Sequence, residues 1–174
     1  MSKRNLGYFG SIGAVLAILL FAAGCYTTKH PLNSDQTSIN PDYVGDFTMT
    51  DKDKTDSITI RNLDGKQYYV EFKSGTDSPN RYVGYTVDIK DATFANLRQI
   101  TDDGKVPSDY LIMRVSLSDT RAQLTLRNLK EDFFKNKVID SAGALRNTLE
   151  VNLNNNDMYD GDEVVADRVS KPAH

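Results

Sequence analysis

From Tyr43 onward, apolar residues recur at every second position in short runs closed by turn residues, as antiparallel strands with one buried face require. Tyr43–Thr50 puts Gly45, Phe47 and Met49 on one face, and Ser57–Arg61 buries Ile58 and Ile60. Asp64-Gly65 suits a tight hairpin, because glycine adopts positive φ without strain. Gln67–Lys73 then sets Tyr68, Val70 and Phe72 against Gln67, Tyr69 and Glu71. After a turn at Asp77-Ser78-Pro79-Asn80, Arg81–Ile89 carries Val83, Tyr85, Val87 and Ile89 at the same spacing, and Thr93–Ile100 follows. Beyond Asp103-Gly104, Tyr110–Leu117 turns Leu111, Met113, Val115 and Leu117 inward, and Arg121–Arg127 repeats this with Ala122, Leu124 and Leu126. Seven strands in about 85 residues predict a barrel or a sandwich.

The period then becomes helical. Leu129–Val138 predicts one helix around Phe133 and Phe134, and Asp140 or Ser141 caps a second in which Leu145, Leu149 and Leu153 recur every four residues. That leucine stripe packs on the barrel or plugs its mouth. Asn154–Asp157 ends the helix, Asp160-Gly161 turns, and Glu163–Ser170 reads as a last strand with Val165 and Val169 on one face. An eighth strand arriving there pairs back with the first and closes the sheet, removing both edges. The expected fold is mainly β: a small antiparallel up-and-down barrel of about eight strands, with one or two C-terminal helices before the last strand.

The N-terminus has a different logic. Lys3 and Arg4 precede an apolar stretch, Leu6 to Ala23, and the small residues Ala22-Ala23-Gly24 precede Cys25, the only cysteine among 174 residues. Positive, apolar, small and then cysteine is the order of an export signal, and it resembles the bacterial lipoprotein signal. In that family the bond before the cysteine, here Gly24–Cys25, is cleaved, and the thiol becomes thioether-linked to diacylglycerol. Ala22 stands where that family most often has leucine. The resemblance implies lipidation of Cys25 with palmitate-type chains and a membrane-held protein of the cell envelope. Tyr26, in place of an aspartate, favours the outer membrane in a diderm host. The competing reading is an uncleaved transmembrane anchor, for which roughly 18 apolar residues just suffice.

Removing residues 1–24 takes away Lys3 and Arg4, leaving 19 basic residues against 24 acidic ones, a net charge of −5. No basic field suited to nucleic acid is present, and one thiol closes no internal disulfide. Residues 25–42 are polar and without apolar period, which predicts a flexible tether carrying His30. The folded domain is expected at 43–170 and a short tail at 171–174, ending in His174.

The phrase Tyr43-Val44-Gly45-Asp46-Phe47 at the start of a meander with a late helix resembles the lipocalin-like (calycin) architecture. It is similar, more narrowly, to small bacterial lipoproteins whose domain opens on Tyr-Val-Gly-x-aromatic. In lipocalins the aromatic is a tryptophan that plugs the closed end beneath an arginine from a late strand. This chain has no tryptophan, so the resemblance gives Phe47 the plug position, with Gly45 beside it and Arg127 or Arg168 as the cation-π partner. Tyr68, Phe72, Tyr85 and Phe47 in the inward set are bulky enough to fill such a barrel.

No catalytic constellation emerges. Neither histidine lies in the expected core to serve as a base. The acidic residues sit mostly at turns, where carboxylates are common turn formers. Asp51–Asp56 begins like a calcium loop but has Asp56 where the sixth-position glycine belongs and Asn62 where the bidentate glutamate belongs. The run Asp157–Glu163 is the denser acidic cluster and the only calcium candidate. No metal or cofactor is therefore assigned. The expectation is a non-catalytic, lipid-anchored envelope protein that binds a small apolar ligand or an envelope protein. The alternatives are an envelope enzyme inhibitor or assembly accessory working through loops, against which the missing disulfide counts, and a carboxylate-based hydrolase.

Overall fold

Alternation of apolar residues along eight successive segments produces a single antiparallel sheet that closes on itself. The structure, a computed structural model, describes residues 25–33, 38–51 and 54–169. Its strands are β1 (Thr27–Thr28), β2 (Gly45–Asp51), β3 (Lys54–Asn62), β4 (Tyr68–Ser74), β5 (Asn80–Ile89), β6 (Ala92–Ile100), β7 (Tyr110–Leu117), β8 (Gln123–Leu129) and β9 (Tyr159–Arg168). From β2 to β9 each strand pairs with the next. The last meets the first through Phe47 opposite Arg168 and Thr48 opposite Asp167. The result is a closed eight-stranded barrel with no open edge, compatible with a lipocalin-like fold.

The inward faces build the first core. Phe47, Ile58, Ile60, Tyr68, Val70, Phe72, Tyr82, Leu97, Met113, Val115, Leu124 and Leu126 are all buried in it. A second core lies outside the barrel wall, where Val87, Ile89, Phe94 and Ile112 meet Leu145, Leu149 and Leu153. Leu145 and Leu149 belong to α2 (Ala142–Asn152) and Leu153 is its C-cap, while Ser141 caps its start by accepting the Ala144 N–H at 3.1 Å. The stripe therefore packs on the barrel, and Arg146 to the Asp88 carbonyl (3.1 Å) and Lys90 to Glu150 (3.3 Å) fix α2 to the β5–β6 hairpin. No helix among the described residues is long and apolar enough to cross a membrane.

Four expectations are corrected. Tyr85 does not face inward: with Val87 and Ile89 it packs into the outer core, while Tyr82 enters the interior edge-on to Phe72 at 5.6 Å. Alternation alone does not tell inside from outside when a helix covers the second face of a strand. The predicted helix from Leu129 to Val138 shrinks to α1 (Glu131–Phe134), because Leu129 is still paired with Tyr159 in β8 and the Val138-Ile139 pair is β-branched. Asp160-Gly161 is not a turn before the last strand but a bulge within it. Register jumps from Leu126↔Val164 to Asn128↔Asp160, and Gly161 supplies φ of 65°.

The fourth correction concerns the tether. Residues 25–33 are packed on the barrel: Tyr26 and Thr28 are buried and Leu32 is fully so. Where β7 and β8 diverge, the chain enters between them. Thr27 and Thr28 pair with Leu111 and Tyr110, Cys25 bridges Lys130, and the Tyr26 N–H donates to the Leu129 carbonyl at 3.0 Å. Exposed backbone of two splayed strands is thereby satisfied. Single docking residues such as Leu32 leave no periodic trace in a sequence.

Candidate functional site

The closed end of the barrel forms where the 3₁₀ turn Pro41–Tyr43 leads into β2. Phe47 is fully buried there, and the Arg168 guanidinium lies over its ring at 4.5 Å from the centroid. Arg168 also donates to the carbonyls of Asp42 (2.6 Å), Val44 (2.9 Å) and Arg121 (2.7 Å). One side chain thus ties the 3₁₀ turn, β2, β9 and the β7–β8 hairpin together. Arg127, the other candidate, lies over Tyr159 at 3.9 Å instead. Gly45 has its own reason: a β-carbon there would run into the Arg168 guanidinium.

Above this plug the interior is nearly full. The remaining cavity measures ≈ 40 Å³ and is lined by residues including Ile58, Val70, Phe72, Leu97, Met113 and Leu126. An engineered apolar cavity that admits benzene is about 150 Å³, and ligand pockets begin at about 300 Å³. The Tyr68 hydroxyl donates to the Asn40 carbonyl at 2.9 Å, and the buried Tyr43 and Tyr68 phenols are held in their neutral form by burial, which raises both pKa values.

Cys25 lies at the other end, where β8 finishes and β7 begins. Gly24 and residues 1–23 lie outside the described residues, so of the expected Gly24–Cys25 cleavage pair only Cys25 is described. Cys25 is half-buried and packs against the interior core beside the rim. Burial, and secondarily the carboxylate of Asp160, pushes its thiol pKa up to about 11. A thiol so placed is a poor nucleophile at neutral pH, because only the thiolate attacks.

Beside Cys25 runs a surface groove of ≈ 460 Å³ between the N-terminal segment and α1. Its lining includes Tyr26, Lys29, Phe134, Lys135, Lys137 and Ile139. The Tyr26 and Phe134 rings stack at 4.0 Å and hold the two walls together. Sequence reasoning passed over these lysines. They are separated by about a hundred residues, and only the docking of the presumed tether unites them.

The remaining candidates are dispersed. His30 is exposed, and His174 lies outside the described residues. In the acidic run, Asp157 belongs to a 3₁₀ turn and Asp160 to Glu163 to the bulged start of β9, with Glu163 3.7 Å from Arg127. Among the described residues no three His, Cys, Asp or Glu side chains are grouped to hold a metal ion. Comparison with protein families, curated proteins and solved structures finds no match for this chain.

Proposed function

We propose that this protein is a lipid-anchored, non-catalytic interaction protein of the cell envelope, held by Cys25 and engaging an envelope protein through the outside and loops of its barrel. The anchor rests on the sequence: Lys3 and Arg4, an apolar stretch, then Gly24 before the only cysteine. Two or three acyl chains on Cys25 hold a protein firmly, whereas one binds marginally. In a diderm host, Tyr26 after the cysteine favours the outer membrane.

The observation that carries the choice of partner is the filled interior. A cavity of ≈ 40 Å³ is too small for a lipid or a drug-sized ligand, which removes support from the carrier version and leaves the exterior as the working surface. An inhibitor or assembly accessory would use the same loops and is distinguished by what it captures.

The test has two parts. Cys25→Ser should leave an unprocessed precursor and abolish incorporation of labelled palmitate; unchanged labelling sinks the anchor. Capture from membranes with the lipidated protein, followed by mass spectrometry of proteins and extractable lipids, should return a stoichiometric envelope protein. Recovery of a stoichiometric small apolar molecule instead overturns the partner reading.

A further inference from the structure

The groove beside Cys25 combines positive charge with exposed apolar surface in a chain whose mature net charge is −5. Lys29, Lys135 and Lys137 line it against the single carboxylate of Glu131. Lys130, opposite Cys25 in the backbone pairing, adds a fourth lysine at its edge. Lys135 is paired with Asp132 at 2.6 Å and Lys137 lies over the Phe133 ring at 4.3 Å, while Lys29 and Lys130 make no ion pair among the described residues. Next to Lys137 stands Val138, 82% exposed and the most exposed large apolar side chain among the described residues. The loop joining β6 to β7 ends on the same side and carries Val106, also exposed.

A lone apolar residue in water needs no explanation. Val138 is different because it projects from the same short segment as Lys135 and Lys137, and that segment lies beside the anchor position. Lysines around a shallow apolar tip fit a surface whose outer layer is anionic and whose next layer is hydrocarbon. A second protein surface offers no reason for this face to lie at the lipidated end.

We infer that this face, Lys29 and Lys130 with the segment Lys135–Ile139, docks on an anionic phospholipid surface, with Val138 entering the headgroup layer and the groove lysines meeting lipid phosphates. The inference rests on lipidation of Cys25 for its geometry. Because Cys25–Thr28 is wedged between β7 and β8, the acyl chains leave the barrel at its rim with little slack. The barrel is then held with the Cys25 end on the membrane and the Phe47–Arg168 end away from it. The plug end, its hairpin at Asp64-Gly65 and the outer wall of the barrel are left to meet a protein partner.

The absence of tryptophan from the chain makes the test direct. Val138→Trp, in the lipidated full-length product purified from membranes, gives a single indole reporter; Leu63→Trp, at the opposite end, is its control. Both proteins are reconstituted with phosphatidylcholine vesicles and with vesicles half phosphatidylglycerol. On the anionic vesicles the Val138→Trp emission should move to the blue and be quenched by brominated acyl chains, while the Leu63→Trp emission should stay water-like. Adding Lys29→Glu, Lys135→Glu and Lys137→Glu should return the first reporter to the water-like position although the protein still floats with the vesicles. Near the surface each lysine is worth about a fivefold change in membrane partitioning, so loss of the three lysines alone should weaken the docked state by roughly 100-fold, and the added carboxylates weaken it further.

A water-like Val138→Trp signal on anionic vesicles with which the protein co-floats overturns the docking face and leaves the anchor standing. An equal blue shift on both vesicle types overturns the role of anionic lipid. A product whose mass lacks the lipid and which does not co-float overturns the anchor. Titration of that product with anionic vesicles still reads the face: a blue shift abolished by the triple change supports it, and no shift rejects it.

Discussion

Arg168 lies over Phe47 at 4.5 Å and donates to three backbone carbonyls from two other parts of the chain. The pair joins the first and last strands of the barrel where β2 and β9 meet, Phe47 opposite Arg168 beside Thr48 opposite Asp167. Replacing Arg168 with methionine keeps much of the aliphatic packing but removes the donors of all three hydrogen bonds. Hydrogen bonds to a charged group contribute about 1.5–3 kcal/mol, less where water takes over, so a loss of about 3 kcal/mol is expected in urea denaturation. Arg168→Lys should recover less than half of it, since an ammonium on a flexible stem does not reproduce the planar fork. A change below about 0.5 kcal/mol, the usual range for a surface substitution, would show that the barrel closes without this arginine.

Gly45 is coupled to the same guanidinium. A β-carbon at position 45 collides with it, so Gly45→Ala should destabilise the protein by about 1–3 kcal/mol, in the range of overpacking. Part of that cost comes from displacing Arg168. In an Arg168→Ala background the guanidinium is absent, and Gly45→Ala should cost clearly less than in the wild type. Additive losses in the double-mutant cycle would separate the two residues.

The closed end was legible only through the lipocalin-like resemblance, which supplied the plug role for Phe47 after Gly45 and left Arg127 or Arg168 as its partner. Charge and spacing left Arg127 and Arg168 equivalent, and the bulge at Gly161 decides between them by setting the register of β9. The inward side of β5 was not legible, since Val83, Tyr85, Val87 and Ile89 alternate as well as any buried face, while Tyr85, Val87 and Ile89 pack into the outer core beside the α2 leucines. The lysine groove was illegible for a third reason. It depends on Tyr26, Leu32 and Phe134 docking an apparently unstructured segment, a tertiary event without periodicity.

That docking makes residues 25–33 part of the domain. Tyr26→Ala removes the ring stacked at 4.0 Å on Phe134, and Leu32→Ala empties a fully buried site. Each should cost about 2–4 kcal/mol in chemical denaturation, as for core truncations. Limited proteolysis should then cut after Lys29 much faster than in the wild type. A segment that acts only as a linker would show neither effect.

The filled interior predicts its own response to truncation. Met113 is fully buried and lines the ≈ 40 Å³ cavity. Met113→Ala should cost about 2–5 kcal/mol, and the enlarged, apolar space should approach the size that admits benzene or xenon. Thermal stabilisation by benzene in the variant but not in the wild type checks this. Equal stabilisation of both would mean that the native barrel already has usable space.

The state of Cys25 should be readable from pH. With the thiol intact, burial raises its pKa from 9.0 to about 11 in the folded protein. The folded state then holds a proton that the unfolded chain releases, so its contribution to stability is fully present below pH 9 and falls as pH rises from 9 towards 11. Several buried tyrosines with raised pKa values add their own loss at high pH, Tyr85 near 12 among them. The Cys25→Ser variant carries those tyrosines without the thiol, and the difference between the two curves isolates Cys25. That difference should be present wherever the thiol is free and absent from a product lipidated on Cys25 as proposed above, since a thioether does not titrate. Alkylation of the free thiol by iodoacetamide should likewise be slow at neutral pH and accelerate towards pH 11, and under the proposed lipidation it should be undetectable in the membrane-purified product. Rapid alkylation of the folded, thiol-bearing protein at pH 7 would show that the sulfur is not packed against the barrel core.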